Sequence, residues 1–204
     1  MKGLLRKDFY LLWNYCRLFI ILVLGFLVLS AFAGSGDNAF LVYYPCILGS
    51  AMSINLLAYD EAEHWCAYCD TLPVTRRQFV TGKYLMSLIC AGIVFLLSAA
   101  ASSFRLSLNG GFDGADFVDQ LAVLATISPL PAALCLPLMF KYGTQKGRIA
   151  FFVVIGVFCA STVFLDVPEL TGVSLPMVLL PLMSLAIFAA SWLLSVRFYQ
   201  KREI

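Results

Sequence analysis

The chain has 204 residues, 61% hydrophobic and only 13% charged, whereas a soluble domain carries roughly a quarter charged residues. That composition excludes a soluble globular fold and a low-complexity disordered chain alike. With 14 Lys and Arg against 12 Asp and Glu the net charge is only +2, too little for a basic surface that grips nucleic acid.

Residues 1–17 are basic, with Lys2, Arg6, Lys7 and Arg17, and a helix places Leu5, Phe9, Leu12, Trp13 and Cys16 on one face. This pattern predicts an interfacial helix in the headgroup layer, the plainer alternative being a frayed, solvated leader. The apolar run that follows ends in Ala31-Phe32-Ala33, a small-x-small pattern like a signal-peptide cleavage site. The stretch before it is long and itself patterned, so a retained first span is expected.

Six apolar runs follow one another, approximately Leu18 to Ala33, Ala39 to Ala58, Tyr84 to Phe104, Leu121 to Phe140, Ile149 to Leu165 and Val173 to Val196. Each approaches the roughly 20 residues that a helix needs to cross a bilayer. The alternation of a barrel strand is absent, so the backbone must satisfy its polar groups within helices. The expected fold is all-α: a polytopic membrane protein with six transmembrane helices, forming a single domain over 1–204.

Lys2, Arg6, Lys7, Arg17, Arg76, Arg77, Lys83, Lys141, Lys146, Arg148, Arg197, Lys201 and Arg202 then all fall on one side. Only Arg105 lies on the other, together with Asp37, Asp113, Asp116, Asp119, Asp166 and Glu169. By the positive-inside rule the N- and C-termini are cytoplasmic. The short outward loops leave little room for a folded extracellular domain.

The cytoplasmic loop at 59–83 carries the most information. A helix over residues 60–70 places Ala62, Trp65, Cys66 and Cys69 on one side and Asp60, Glu63 and Asp70 on another. Leu72-Pro73-Val74 ends it, and Thr75-Arg76-Arg77-Gln78 matches a capping box, with Val74 and Phe79 spaced as a hydrophobic staple. Helix, corner and second helix at the membrane edge expose Trp65, Tyr68 and charged groups. Such a surface suits either a docked protein or the lipid headgroups.

Several chemistries are missing. The span centres hold no ionisable residue, which disfavours ion-coupled transport. No G-x-x-x-x-G-K-[ST] is present, so the chain has no phosphate-cradling loop, and the single histidine, His64, allows no H-E-x-x-H. His64, Cys66 and Cys69 supply only three ligands where a structural zinc site takes four. We therefore expect no catalytic residue, metal or cofactor in this chain.

The stretch Asp60-Glu61-Ala62-Glu63-His64-Trp65, followed by Thr71-Leu72-Pro73-Val74-Thr75-Arg76-Arg77-Gln78-Phe79-Val80-Thr81-Gly82-Lys83-Tyr84-Leu85, resembles the ABC-2-type transporter permeases. Met1-Lys2-Gly3-Leu4-Leu5-Arg6-Lys7-Asp8 is likewise similar to their basic N-terminal helix. The resemblance implies the permease subunit of an ATP-driven ABC exporter, working by alternating access in a bacterial plasma membrane. It also implies a second permease copy and a separate ABC ATP-binding subunit that binds the ATP. By this analogy the coupling helix presents Asp60, Glu61, Glu63, His64, Trp65, Tyr68, Leu72, Pro73, Thr75, Arg76 and Arg77 to the ATPase, with Glu61, Trp65 and Arg76 leading. Small relatives commonly export peptides, and an amphipathic cargo suits the apolar spans. A membrane scaffold that docks a cytoplasmic partner without transport, and an intramembrane enzyme using Cys66, Cys69 and His64, are the alternatives from other classes.

Overall fold

The computed structural model describes residues 2–32, 39–63, 65–69, 75–108, 114–144, 146–147, 149, 152–153, 156 and 179–201. The described elements are helices, as expected for a chain that must satisfy its backbone internally. In order they are α1 (Lys2–Tyr15), α2 (Arg17–Phe32), α3 (Ala39–Ala62), α4 (Trp65–Cys69), α5 (Arg76–Leu108), α6 (Gly114–Ile127), α7 (Leu130–Tyr142) and α8 (Leu179–Lys201).

Four stretches are long and apolar enough to cross a bilayer: Leu41–Ala62, Arg76–Arg105, Phe117–Tyr142 and Leu179–Gln200. The pair α1–α2, bent by 72° around Cys16, adds a fifth candidate. The expected run from Ile149 to Leu165 lies mostly outside the described residues. The expected face of α1 is divided. Asp8, Leu12 and Cys16 are buried against the bundle, whereas Phe9 and Trp13, on the flank of that face, are exposed.

The break between α6 and α7 combines a local feature with a contact to another helix. Pro129 has no N–H to continue the helix, and the Ser128 hydroxyl donates to the Ala91 carbonyl of α5 at 3.1 Å, fixing the break against a neighbour. At the other end of α7, Gly143 adopts φ 87°, which favours glycine, and its N–H donates to Met139 O at 2.9 Å.

Helix α3 is the centre of the bundle: 78% of its span is buried, against 17% for α8. At Gly49 a Cβ would come within 2.8 Å of Val94 Cγ2, so the absence of a side chain lets α3 and α5 approach closely. Contacts between α5 and α8 pair Phe79 with Tyr199 and Tyr84 with Ser191, so these helices run antiparallel. Contacts between α7 and α8 pair Ala133 with Ser191 and Phe140 with Tyr199, so these run parallel. The end of the bundle where α5 begins and α7 and α8 finish is therefore shared, and it carries Arg76, Arg77 and Lys83 of α5, Lys141 of α7, and Arg197 and Lys201 of α8.

Candidate functional site

Helix α5 starts where the capping box predicts. The Thr75 N–H donates to Gln78 Oε1 at 3.1 Å, and the Gln78 N–H donates to Thr75 Oγ1 at 3.3 Å, two reciprocal bonds that satisfy free N–H groups of the first turn. Phe79 is buried next to them, while Val74, its expected staple partner, lies outside the described residues.

Two turns further on, Lys83 is only 1% exposed. Its Nζ lies 2.8 Å from Asp8 Oδ1 on α1 and 2.6 Å from Asp60 Oδ2 near the end of α3. Lys7 Nζ completes the group, 2.7 Å from Asp60 Oδ1 and 3.5 Å from Asp8 Oδ1. Two cations and two anions cancel. Since an isolated buried charge costs several kcal/mol, this cancellation is what permits the cluster to exist away from water. It also gives α1, α3 and α5 one relative arrangement in which the charges are all paired. Lys7 Nζ stands 4.2 Å from the centre of the Trp65 ring, so α4 is attached to the same cluster.

Glu61 makes a second attachment. Its Oε2 accepts the N–H of Thr144 at 2.6 Å, immediately after Gly143. The Gly147 N–H returns to Gly143 O at 3.1 Å, so Thr144 opens a new helical turn and Glu61 caps it, a carboxylate at the positive end of the turn.

The residues expected to face an ATPase thus divide into two groups. Asp60 is buried in the ion cluster, Glu61 holds Thr144, and Trp65 is half-buried beneath Lys7. Facing outward are Glu63, Thr75 and Tyr68, the last 54% exposed with its ring 5.2 Å from that of Trp65. Arg76 is half-buried, and Arg77 is exposed with its guanidinium 5.4 Å from the Trp192 ring of α8. His64, Leu72 and Pro73 lie outside the described residues. The expected single helix over 60–70 is divided: Asp60 and Glu61 finish α3, and α4 begins at Trp65.

Sequence reasoning missed Lys7, Asp8 and Lys83 as members of the cluster. Lys83 reads as a loop cation because it follows Arg76 and Arg77, yet α5 begins early enough to carry it inside. The available signal was Asp8, a lone acid on a basic helix, one helical turn from both Leu5 and Leu12 and therefore on the apolar stripe.

A bundle that is helical throughout its described elements, with four or five candidate spans and a charge-neutral cluster locking its basic end, defines a multi-pass membrane protein. The sequence pattern of the ABC-2 family transporter proteins matches residues 3–200, and the chain belongs to that family. It is accordingly a membrane permease component of an ABC transporter, a class that works with an ABC ATP-binding subunit. No curated protein matches the chain.

Proposed function

We propose that this chain is the six-span permease subunit of an ATP-driven exporter for peptides or other amphipathic cargo. ATP is bound and hydrolysed by a separate subunit, a second permease copy completes the pathway, and the permease contributes no catalytic residue. The arrangement of Lys and Arg supports cytoplasmic termini, and the resemblance to the ABC-2-type permeases supports a bacterial plasma membrane. The absence of ionisable residues at the span centres supports an amphipathic cargo over an ion or a sugar, which needs hydrogen-bonding groups along its path.

The observation that carries the reading is the position of α4. Its Tyr68 faces outward, while Trp65 rests under a lysine that is ion-paired to α3. A partner pressing on α4 therefore acts on α1, α3 and α5 together. ATP-dependent closure of two ATPases then biases the permease between inward- and outward-open states, through contacts that differ between ATPase states. Glu63, Tyr68, Thr75 and Arg76 form the outer docking surface. Asp60, Glu61 and Trp65 position it from within.

Purification of the tagged chain in mild detergent or nanodiscs, with mass spectrometry of what accompanies it, tests the partner. Recovery of a P-loop ATPase at about one copy per permease is expected. Its absence, under conditions that preserve comparable complexes, would favour the scaffold. With the ATPase in hand, a Tyr68→Ala, Glu63→Lys double change should lower permease-stimulated hydrolysis about tenfold, as the loss of an interface anchor does, with thermal stability unchanged. Full stimulation by that variant would remove α4 from the docking surface.

A further inference from the structure

Between α5 and α8 lies an open groove of about 240 Å³ whose lining includes Tyr84, Leu85, Leu88, Phe188, Ala189 and Trp192. Its aromatic walls are held in place by bonds directed away from it. Ser191 Oγ donates to Ala133 O at 2.6 Å, so it accepts from Tyr84 O–H at 2.7 Å, and Ser195 Oγ donates to Tyr84 at 2.7 Å. The Trp192 Nε1–H donates to Thr81 Oγ1 at 3.2 Å, and Thr81 in turn donates to Arg77 O at 2.8 Å. With these polar groups satisfied, the groove is a preformed apolar surface. Leu85 and Leu88, 42% and 45% exposed, form its open flank.

At its mouth stands Arg77, exposed and set over the Trp192 ring. Among the described residues Arg77 makes no ion pair, so stacking leaves its N–H edge available for a bidentate acceptor. Leu88 lies about 16 Å further along α5 than Arg77, at 1.5 Å per residue. That is close to half the roughly 30 Å hydrocarbon thickness, the depth of one leaflet. The volume falls below the roughly 300–1,000 Å³ of pockets that enclose a whole small molecule, and is suited to a single chain.

We propose that this groove is a specific lipid site, in which one acyl chain of an anionic phospholipid lies along α5 and α8 while its phosphate pairs with Arg77. The position of the mouth places this lipid in the leaflet at the basic end of the bundle. The site goes beyond the transport reading and requires no ATPase. Its occupant is chosen by charge and depth together: an apolar trough whose far end, at Leu88, lies one leaflet's depth from a guanidinium that makes no ion pair among the described residues. A second copy of the chain is the competing occupant.

The full chain, reconstituted in phosphatidylcholine liposomes, is titrated with acyl-brominated phosphatidylglycerol or with acyl-brominated phosphatidylcholine. The quenching of Trp192 is isolated by subtracting the Trp192→Phe variant. Half-maximal quenching is expected at about a fivefold lower mole fraction of the anionic lipid, the preference one arginine confers near an anionic headgroup, and Arg77→Gln should abolish the difference. A second reading needs no change at Trp192: mass spectrometry of phospholipid retained after detergent purification, where Arg77→Gln should lower the anionic lipid bound per chain by a similar factor. Equal curves for both lipids, retention unaffected by Arg77→Gln, or a Trp192 that neither lipid quenches because a second copy covers it, would each overturn the assignment.

Discussion

Removing the ammonium of Lys83 would leave the Asp8 and Asp60 carboxylates, each 2% exposed, with only Lys7 between them. One cation cannot neutralise two buried anions, so Lys83→Met is expected to destabilise the protein by about 3–5 kcal/mol, the cost of breaking a buried ion pair from one side. Adding Asp60→Leu takes away the orphaned anion as well. Lys7 then remains 3.5 Å from Asp8 as a balanced pair, and the double variant should recover most of the loss. Denaturant unfolding of the purified chain in detergent micelles measures both. A single-variant loss under about 1 kcal/mol, typical of an exposed pair, would refute a dry cluster. The same comparison separates a structural lock from a transport role, because it needs neither ATPase nor cargo.

At the scale of elements, the start of α5 sets where Lys83 falls. Thr75 caps that helix, and Thr75→Ala removes the acceptor for the Gln78 N–H, a loss of about 1 kcal/mol. Because the capped turn is exposed while Lys83 lies two turns deeper, the effect should be local: amide exchange over residues 76–80 rises about fivefold, while the centre of α5 stays protected. Uniform acceleration along α5 would instead show that the cap governs the whole helix. This helix start was legible because a capping box is a contact between residues three apart. The broken span α6–α7 was legible as an apolar run but not as a break, although Pro129 stands in the sequence, since what fixes it is a bond from Ser128 to Ala91 on another helix. The same distinction explains the ion cluster. Its members lie on α1, α3 and α5, and three separate helices must assemble before Asp8 and Lys83 are seen to meet. The surface of α4 was legible in residue types, with Cys69 on the apolar side and Tyr68 outward, but the half-burial of Trp65, expected to be exposed, required Lys7 of α1 to be seen above it.

For the whole molecule, α7 and α8 finish side by side. The Phe140 ring is 5.4 Å from Tyr199, and Lys141 Nζ is 5.2 Å from the Phe198 ring. Helix α5 begins at that same end, as Phe79 against Tyr199 requires. Two consecutive spans that run parallel need the chain to return across the membrane between them, and the six-span proposal places that return between Tyr142 and Leu179. Reporter fusions test it. Fluorescent proteins joined before Met1 and after Ile204 should both mature in the cytoplasm, while alkaline phosphatase inserted at Asn109 or at Pro168 should be active, because each site then lies outside. Activity at Asn109 with none at Pro168 would leave the chain on the cytoplasmic side after α7. Helix α8 would then have to start there and run antiparallel to α7, which would part Phe140 from Tyr199 and separate the Ala133 carbonyl from Ser191. The topology and the packing of α7 on α8 therefore stand or fall together.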